Sequence, residues 1–271
     1  MPAGHQMNAP EWDSIVSALK KWRNDLQKTG TENPSVTTVA ERYKNDPWAV
    51  LVSTILSLRT KDEVTLKCSQ TLLAKAPTPQ KLLSLEEAAI AQLIYPAGFY
   101  RTKAANLKKI AALLIDRYKG KVPADLDTLL GFPGVGRKTA NLVLIEAYDL
   151  NGICVDVHVH RISNRTGWLS LSQNSVSFET SFAKKRQKDA FSLKSKVAVP
   201  KSDILEQPRS GSKNPEETEM ILRKILPLKH WKAINPLLVL YGQNVCRPVS
   251  PYCSRCVIAE HCKQIGVGKS R

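Results

Sequence analysis

The sequence predicts an all-α protein, and three observations carry that prediction. Apolar residues recur every three or four positions, as at Ile15, Leu19, Trp22 and Leu26, the spacing that gives a helix one buried face. No stretch alternates apolar and polar residues over the length a strand needs. Between Leu130 and Ala140, finally, the run Gly131-Phe132-Pro133-Gly134-Val135-Gly136 interrupts one helical pattern and opens another. Proline cannot donate a helical hydrogen bond and glycine reaches positive φ, so the segment reads as helix, glycine hairpin, helix.

The first helix spans Glu11 to Gln27. Asp46-Pro47 is a capping residue followed by proline at the first helical position, and it opens an almost wholly apolar helix from Trp48 to Leu58. Such a helix belongs at the centre of a core. Asp62 is the expected cap of the next helix, which ends near Ala74. Shorter patterns follow at 79–83 and 85–94, then a basic-faced helix from Thr102 to Tyr118. Leu126, Leu129 and Leu130 lead into the hairpin, an apolar helix carries the chain to Tyr148, and another runs from Asp156 to Thr166.

From Ser170 to Lys213 the pattern fails. This stretch has nine Lys or Arg against four Asp or Glu and few large aliphatics, a composition that cannot offset ordering entropy, and it reads as a disordered basic insertion. Helix resumes at Pro215-Glu216-Glu217, with proline and acids in the first turn, and a last apolar helix covers Trp231 to Gln243.

The 271 residues carry a formal net charge of +16, which points to a polyanionic partner, nucleic acid ahead of a membrane surface. There is no apolar run of the roughly 18 residues a membrane helix needs, and no lipidation motif. Met1 to Pro10 lacks the charged and apolar regions of a secretion signal. A soluble intracellular protein is expected, cytoplasmic and nucleoid-associated if the source is bacterial.

The hairpin has its own chemistry. Exposed amides at Val135 and Gly136, at the positive end of the following helix, can face a phosphate. Lys138 falls in that helix's first turn, where the dipole opposes an ammonium and favours a nucleophilic amine. The bland alternative is a solvated lysine beside a phosphate. Asp156, in Val155-Asp156-Val157-His158, can serve as a helix cap, as an acid–base group, or as both. His158 and His160 suit phosphate or supporting contacts better than metal binding, and Cys68 and Cys154, among apolar neighbours, read as core thiols.

The tail carries Cys246, Cys253, Cys256 and Cys262 in the spacing C-x6-C-x2-C-x5-C, four thiols within seventeen residues bent by Pro248 and Pro251. Such a set can surround one tetrahedral centre. Zinc takes the same ligands, and spacing leaves it open. Because only the middle pair is close, an iron–sulfur cluster is favoured.

Taken in order, the hairpin with Lys138, the Val155–His158 segment and the four cysteines resemble the endonuclease III family, DNA glycosylase/AP lyases of the helix-hairpin-helix superfamily. The resemblance covers Asp46 to Cys262 apart from the insertion. It implies two helical domains flanking a DNA groove: residues 38–155 as a six-helix domain containing the hairpin, and 11–37 with 156–263 as the cluster domain. It also implies Lys138 and Asp156 as catalytic residues and a [4Fe-4S] cluster on Cys246, Cys253, Cys256 and Cys262. The DNA-contacting residues would be Arg59, Phe99, Gly134, Val135, Gly136, Arg137 and His158. Arg59 and Phe99 match the positions that fill the hole left by a flipped nucleotide, but depart from the family's usual Gln and Leu. Arginine donates and cannot accept, so the family's usual opposite-base preference does not carry over with it.

The expected activity is removal of oxidised pyrimidines from duplex DNA through a lysine Schiff base, with β-elimination on the 3′ side. The expected partner is double-stranded DNA with damaged bases or abasic sites, bound by a monomer with no membrane association. A monofunctional glycosylase of the adenine-mismatch type would not need the Lys138 amine. A non-catalytic iron–sulfur DNA-binding protein would not need both Lys138 and Asp156.

Overall fold

The computed structural model describes residues 10–170 and 211–271. Twelve α-helices are present among them: α1 (Trp12–Gln27), α2 (Ser35–Arg42), α3 (Pro47–Ser57), α4 (Asp62–Lys75), α5 (Pro79–Leu83), α6 (Glu87–Leu93), α7 (Tyr100–Tyr118), α8 (Leu126–Leu130), α9 (Arg137–Tyr148), α10 (Val157–Thr166), α11 (Pro215–Ile225) and α12 (Trp231–Asn244). No strand occurs among the described residues, in agreement with the all-α expectation.

Side-chain caps mark several of the helix starts. Asp46 accepts the Ala49 amide at 2.8 Å ahead of Pro47, Asp125 accepts the Thr128 amide at 2.8 Å, and Asn214 accepts the Glu217 amide at 2.8 Å. Each satisfies an amide that a helix start leaves without a partner.

Helix α2 was not expected. It is eight residues long, Pro34 precedes it without a side-chain cap, and its buried side of Val36, Val39 and Ala40 is too short to show a period. Asp62 is likewise not the cap of α4. Lys61 holds that position, and the Asp62 carboxylate reaches back to α2, accepting the Ser35 amide at 3.2 Å and its hydroxyl at 2.6 Å.

Two hydrophobic cores organise the helices. In the first, α3 buries nine of its eleven residues and packs against α2, α4, α7 and α9. At roughly 1.5–3 kcal/mol for each large aliphatic side chain buried, this helix is the main stabilising element of that half. The second core joins the two ends of the chain. Ile15, Val16 and Leu19 of α1 pack with Ile162 of α10 and with Leu237, Leu238 and Tyr241 of α12. Trp12 meets Trp168 edge-on at 5.0 Å, and Trp22 meets Tyr241 at 4.8 Å.

Most of the expected insertion at 170–213 lies outside the described residues. Its downstream end docks on α10 through Ser212, whose amide donates to Asn164 Oδ1 at 2.8 Å.

Candidate active site

A cleft of about 490 Å³ lies between the two cores. One wall carries Arg59, Thr60, Asp62, Arg137 and Lys138, and the other carries Asp156, Val157, His158, Glu219 and Gln243.

The hairpin brings Lys138 to this cleft. After α8, Phe132, Pro133, Gly134 and Val135 form a tight turn closed by the Val135 amide on the Phe132 carbonyl at 3.1 Å. Gly134 has φ +77°, and a Cβ there would lie 2.6 Å from Asn106 Nδ2, so the position requires glycine. Phe132 anchors the turn edge-on against Tyr118, with ring centroids 5.8 Å apart. Val135 is therefore turned inward: its side chain belongs to the first core and its amide is used by the turn. Within the hairpin, the exposed residues Gly134 and Gly136 have amides for which no acceptor occurs among the described residues.

Gly136 begins α9, which places Lys138 in its first turn. Lys138 Nζ lies 3.9 Å from Asp156 Oδ2; the lysine side chain is 40% exposed and the aspartate 8%. Asp156 Oδ1 meanwhile accepts the His158 and Val159 amides, both at 2.9 Å, at the start of α10. The carboxylate is thus both a cap and a partner of the amine, one oxygen for each.

His158 stands behind it. Arg161 Nη2 lies 3.1 Å from His158 Nδ1, and because a guanidinium only donates, Nδ1 is the acceptor and the neutral ring carries its proton on Nε2. Burial pushes His158 below the usual histidine range; Asp156 opposes the shift, and Arg161 and Lys138 reinforce it. Helix α12 must approach closely here, since a Cβ at Gly242 would lie 2.4 Å from His158 Nδ1.

The family model for HhH-GPD superfamily base excision DNA repair proteins matches residues 52–187. Endonuclease III of Thermotoga maritima is 36% identical over 220 residues, covering 81% of this chain and 84% of that protein. Endonuclease III homolog 2, chloroplastic, of Arabidopsis thaliana is 35% identical over 96% of this chain, which spans only 59% of that longer protein. The solved structure of a trapped endonuclease III–DNA covalent intermediate with an estranged adenine matches with a TM-score of 0.62 and 27% identity, over 85% of this chain and 93% of that one.

The chain belongs to the endonuclease III family. As a member of this base excision repair family it is a DNA glycosylase/AP lyase.

Several residues of this site take their roles from partners far away in the chain. Glu219 of α11, two residues beyond the first-turn acids, is buried. It accepts Arg137 Nη2 at 3.1 Å, Arg223 Nη2 at 2.9 Å and Asn141 Nδ2 at 3.3 Å. Arg137 is thereby drawn toward α11 rather than left free beside the hairpin. Asp62 accepts Gln243 Nε2 at 2.8 Å across the cleft, tying the first half to α12. Arg59 and Phe99, both exposed, come from different loops yet meet, the guanidinium 5.3 Å from the ring centroid. A positive-φ residue beside a helix end marks each loop, but no sequence pattern indicates that they touch.

The four tail cysteines are half-buried and unpaired. Among the described residues, no three His, Cys, Asp or Glu side chains converge closely enough to hold one metal ion. Their surroundings suit thiolates bound to a larger cationic group. Arg165 Nη1 donates to Cys246 Sγ at 3.3 Å, and the Gln264 amide donates to Cys262 Sγ at 3.4 Å. Burial pushes the Cys256 and Cys262 thiols up, and the charge of the neighbouring cysteines pushes the same way. Four soft donors that repel one another as thiolates fit an iron–sulfur cluster, which would neutralise that repulsion.

Proposed function

We propose that this enzyme removes oxidised pyrimidines from duplex DNA and then cuts the abasic strand with the same lysine. The observation that carries this reading is Lys138 Nζ facing Asp156 Oδ2 at 3.9 Å in an open cleft. A target base must leave the stack before its sugar can be reached. The neutral Lys138 amine then attacks C1′, and the bond to the base breaks with its electron pair going to the base, which takes up a proton from solvent. One proton of the attacking nitrogen passes to O4′ as the C1′–O4′ bond breaks, leaving an open-chain iminium. The iminium acidifies C2′–H. Loss of that proton expels the 3′ phosphate, and water finally releases the lysine. Asp156 Oδ2 accepts the proton that frees the amine and stabilises positive charge developing on the sugar.

In the same reading the Gly134 and Gly136 amides and His158 hold phosphates, Arg137 adds the guanidinium nitrogens that Glu219 leaves free, and Arg59 with Phe99 fills the hole left by the flipped nucleotide. Residues 38–155 form one domain and 11–37 with 156–263 the other, and the protein acts as a monomer. Cys246, Cys253, Cys256 and Cys262 would hold a [4Fe-4S] cluster. When bound, the cluster would tie the tail together.

A duplex with a single abasic site tests the proposal. The enzyme is expected to nick it and leave a 3′ unsaturated aldehyde. Intact abasic strands alongside efficient base release would instead indicate a monofunctional glycosylase, and neither activity would indicate a binding protein.

A further inference from the structure

Lys103, in the first turn of α7, is 5% exposed, and its charge has no carboxylate partner among the described residues. Its ammonium donates to the Leu56 carbonyl at 2.7 Å, the Leu58 carbonyl at 2.6 Å and Thr60 Oγ1 at 2.9 Å. All three protons are used, and two of the acceptors lie at the negative end of the α3 dipole. These acceptors bracket Arg59, whose backbone is left-handed at φ 53°.

The same residue also holds the second loop. The Lys103 amide donates to the Phe99 carbonyl at 3.0 Å, and Phe99 too is left-handed, at φ 56°. Thr60 Oγ1 receives the Gly98 amide at 3.0 Å beside the ammonium. The loops approach so closely that a Cβ on Gly98 would lie 2.4 Å from the Arg59 carbonyl oxygen. Two non-glycine left-handed residues in contact cost backbone strain, which persists only where the surroundings over-determine it.

A buried charge is costly, and an apolar side chain of similar length would fill the space without that cost. Lys103 lies on neither the cleft wall nor the surface. Its effect is to fix geometry. We propose that Lys103 is a positioning residue whose buried ammonium locks the Arg59 and Phe99 loops into one preassembled wedge before DNA binds. The inference rests on the reading of Arg59 and Phe99 as the hole-filling residues. Because the wedge is ordered in advance, insertion into the duplex does not have to order two loops separately.

The test measures the ratio of strand cleavage on a duplex abasic site to cleavage on the same strand unpaired, where there is no hole to fill. A 2-aminopurine placed opposite the site reports insertion by its fluorescence. Lys103→Met is expected to lower the ratio roughly ten- to a hundredfold, the scale of a small misplacement near a reacting centre, and to reduce the fluorescence change. Thr60→Val removes the shared acceptor and should act in the same direction. It also decides the matter if Lys103→Met fails to fold. The double variant Lys103→Met/Phe99→Ala should lose little beyond Phe99→Ala alone, because both disable one unit. If Arg59→Ala and Phe99→Ala lower the ratio while folded Lys103→Met keeps it, Lys103 is not a positioning residue and the wedge reading survives. If Arg59→Ala and Phe99→Ala also leave the ratio unchanged, the wedge reading itself has failed.

Discussion

Asp156 divides its carboxylate between structure and chemistry: Oδ1 caps α10, and Oδ2 faces the Lys138 amine at 3.9 Å. The cap fixes the carboxylate's aim, because two amide hydrogen bonds leave it little rotational freedom. The cleft wall that carries the acid is therefore set by the start of a helix, and the wall that carries the amine by the start of another.

This division makes the two roles separable. Asp156→Asn keeps an oxygen for the cap and removes the charge. It should fold normally, bind abasic duplex, and turn over roughly a hundred- to ten-thousandfold more slowly. Asp156→Ala should lose activity and also about 0.5–2 kcal/mol of stability with the cap. Urea unfolding alongside single-turnover kinetics separates the two. Wild-type turnover in Asp156→Asn would reduce the residue to a cap.

Burial lowers Lys103 to about 8 from its ordinary value near 10.5. Between those values the unfolded chain holds a proton that the folded chain has lost, so this group's contribution to stability rises with pH across the window and falls as pH drops through 8. Lys103→Met should remove that rise. Urea midpoints of the two proteins compared at pH 7 and pH 9.5 check it, and equal pH slopes would show that Lys103 does not titrate there.

The purified protein should be yellow-brown, with broad visible absorbance from iron bound by four thiolates. Colourless, active protein with stoichiometric zinc would contradict the cluster. Cys256→Ala should be poorly soluble, because the short helical turns around the cysteines bury little apolar surface of their own and depend on the closed site.

What the sequence made legible was local. Asp46-Pro47 and Pro215-Glu216-Glu217 are signals a few residues long, and both mark helix starts in the structure. Lys138 and Asp156 could be singled out because each sits at a fixed offset in a short motif. What escaped depends on partners distant in the chain. Asp62 answers Ser35, 27 residues away, and Glu219 answers Arg137, 82 residues away. Lys103 takes its role from acceptors 43–47 residues upstream. The Val135 amide closes the turn instead of facing outward, because the residues of a turn do not indicate which amide closes it.

In the proposed reaction the Lys138 amine forms the covalent bond to the sugar. Borohydride reduction of enzyme mixed with abasic duplex should trap a protein–DNA adduct in the wild type and none in Lys138→Ala, while DNA binding stays largely intact. Undiminished trapping in Lys138→Ala would show that another amine forms the bond.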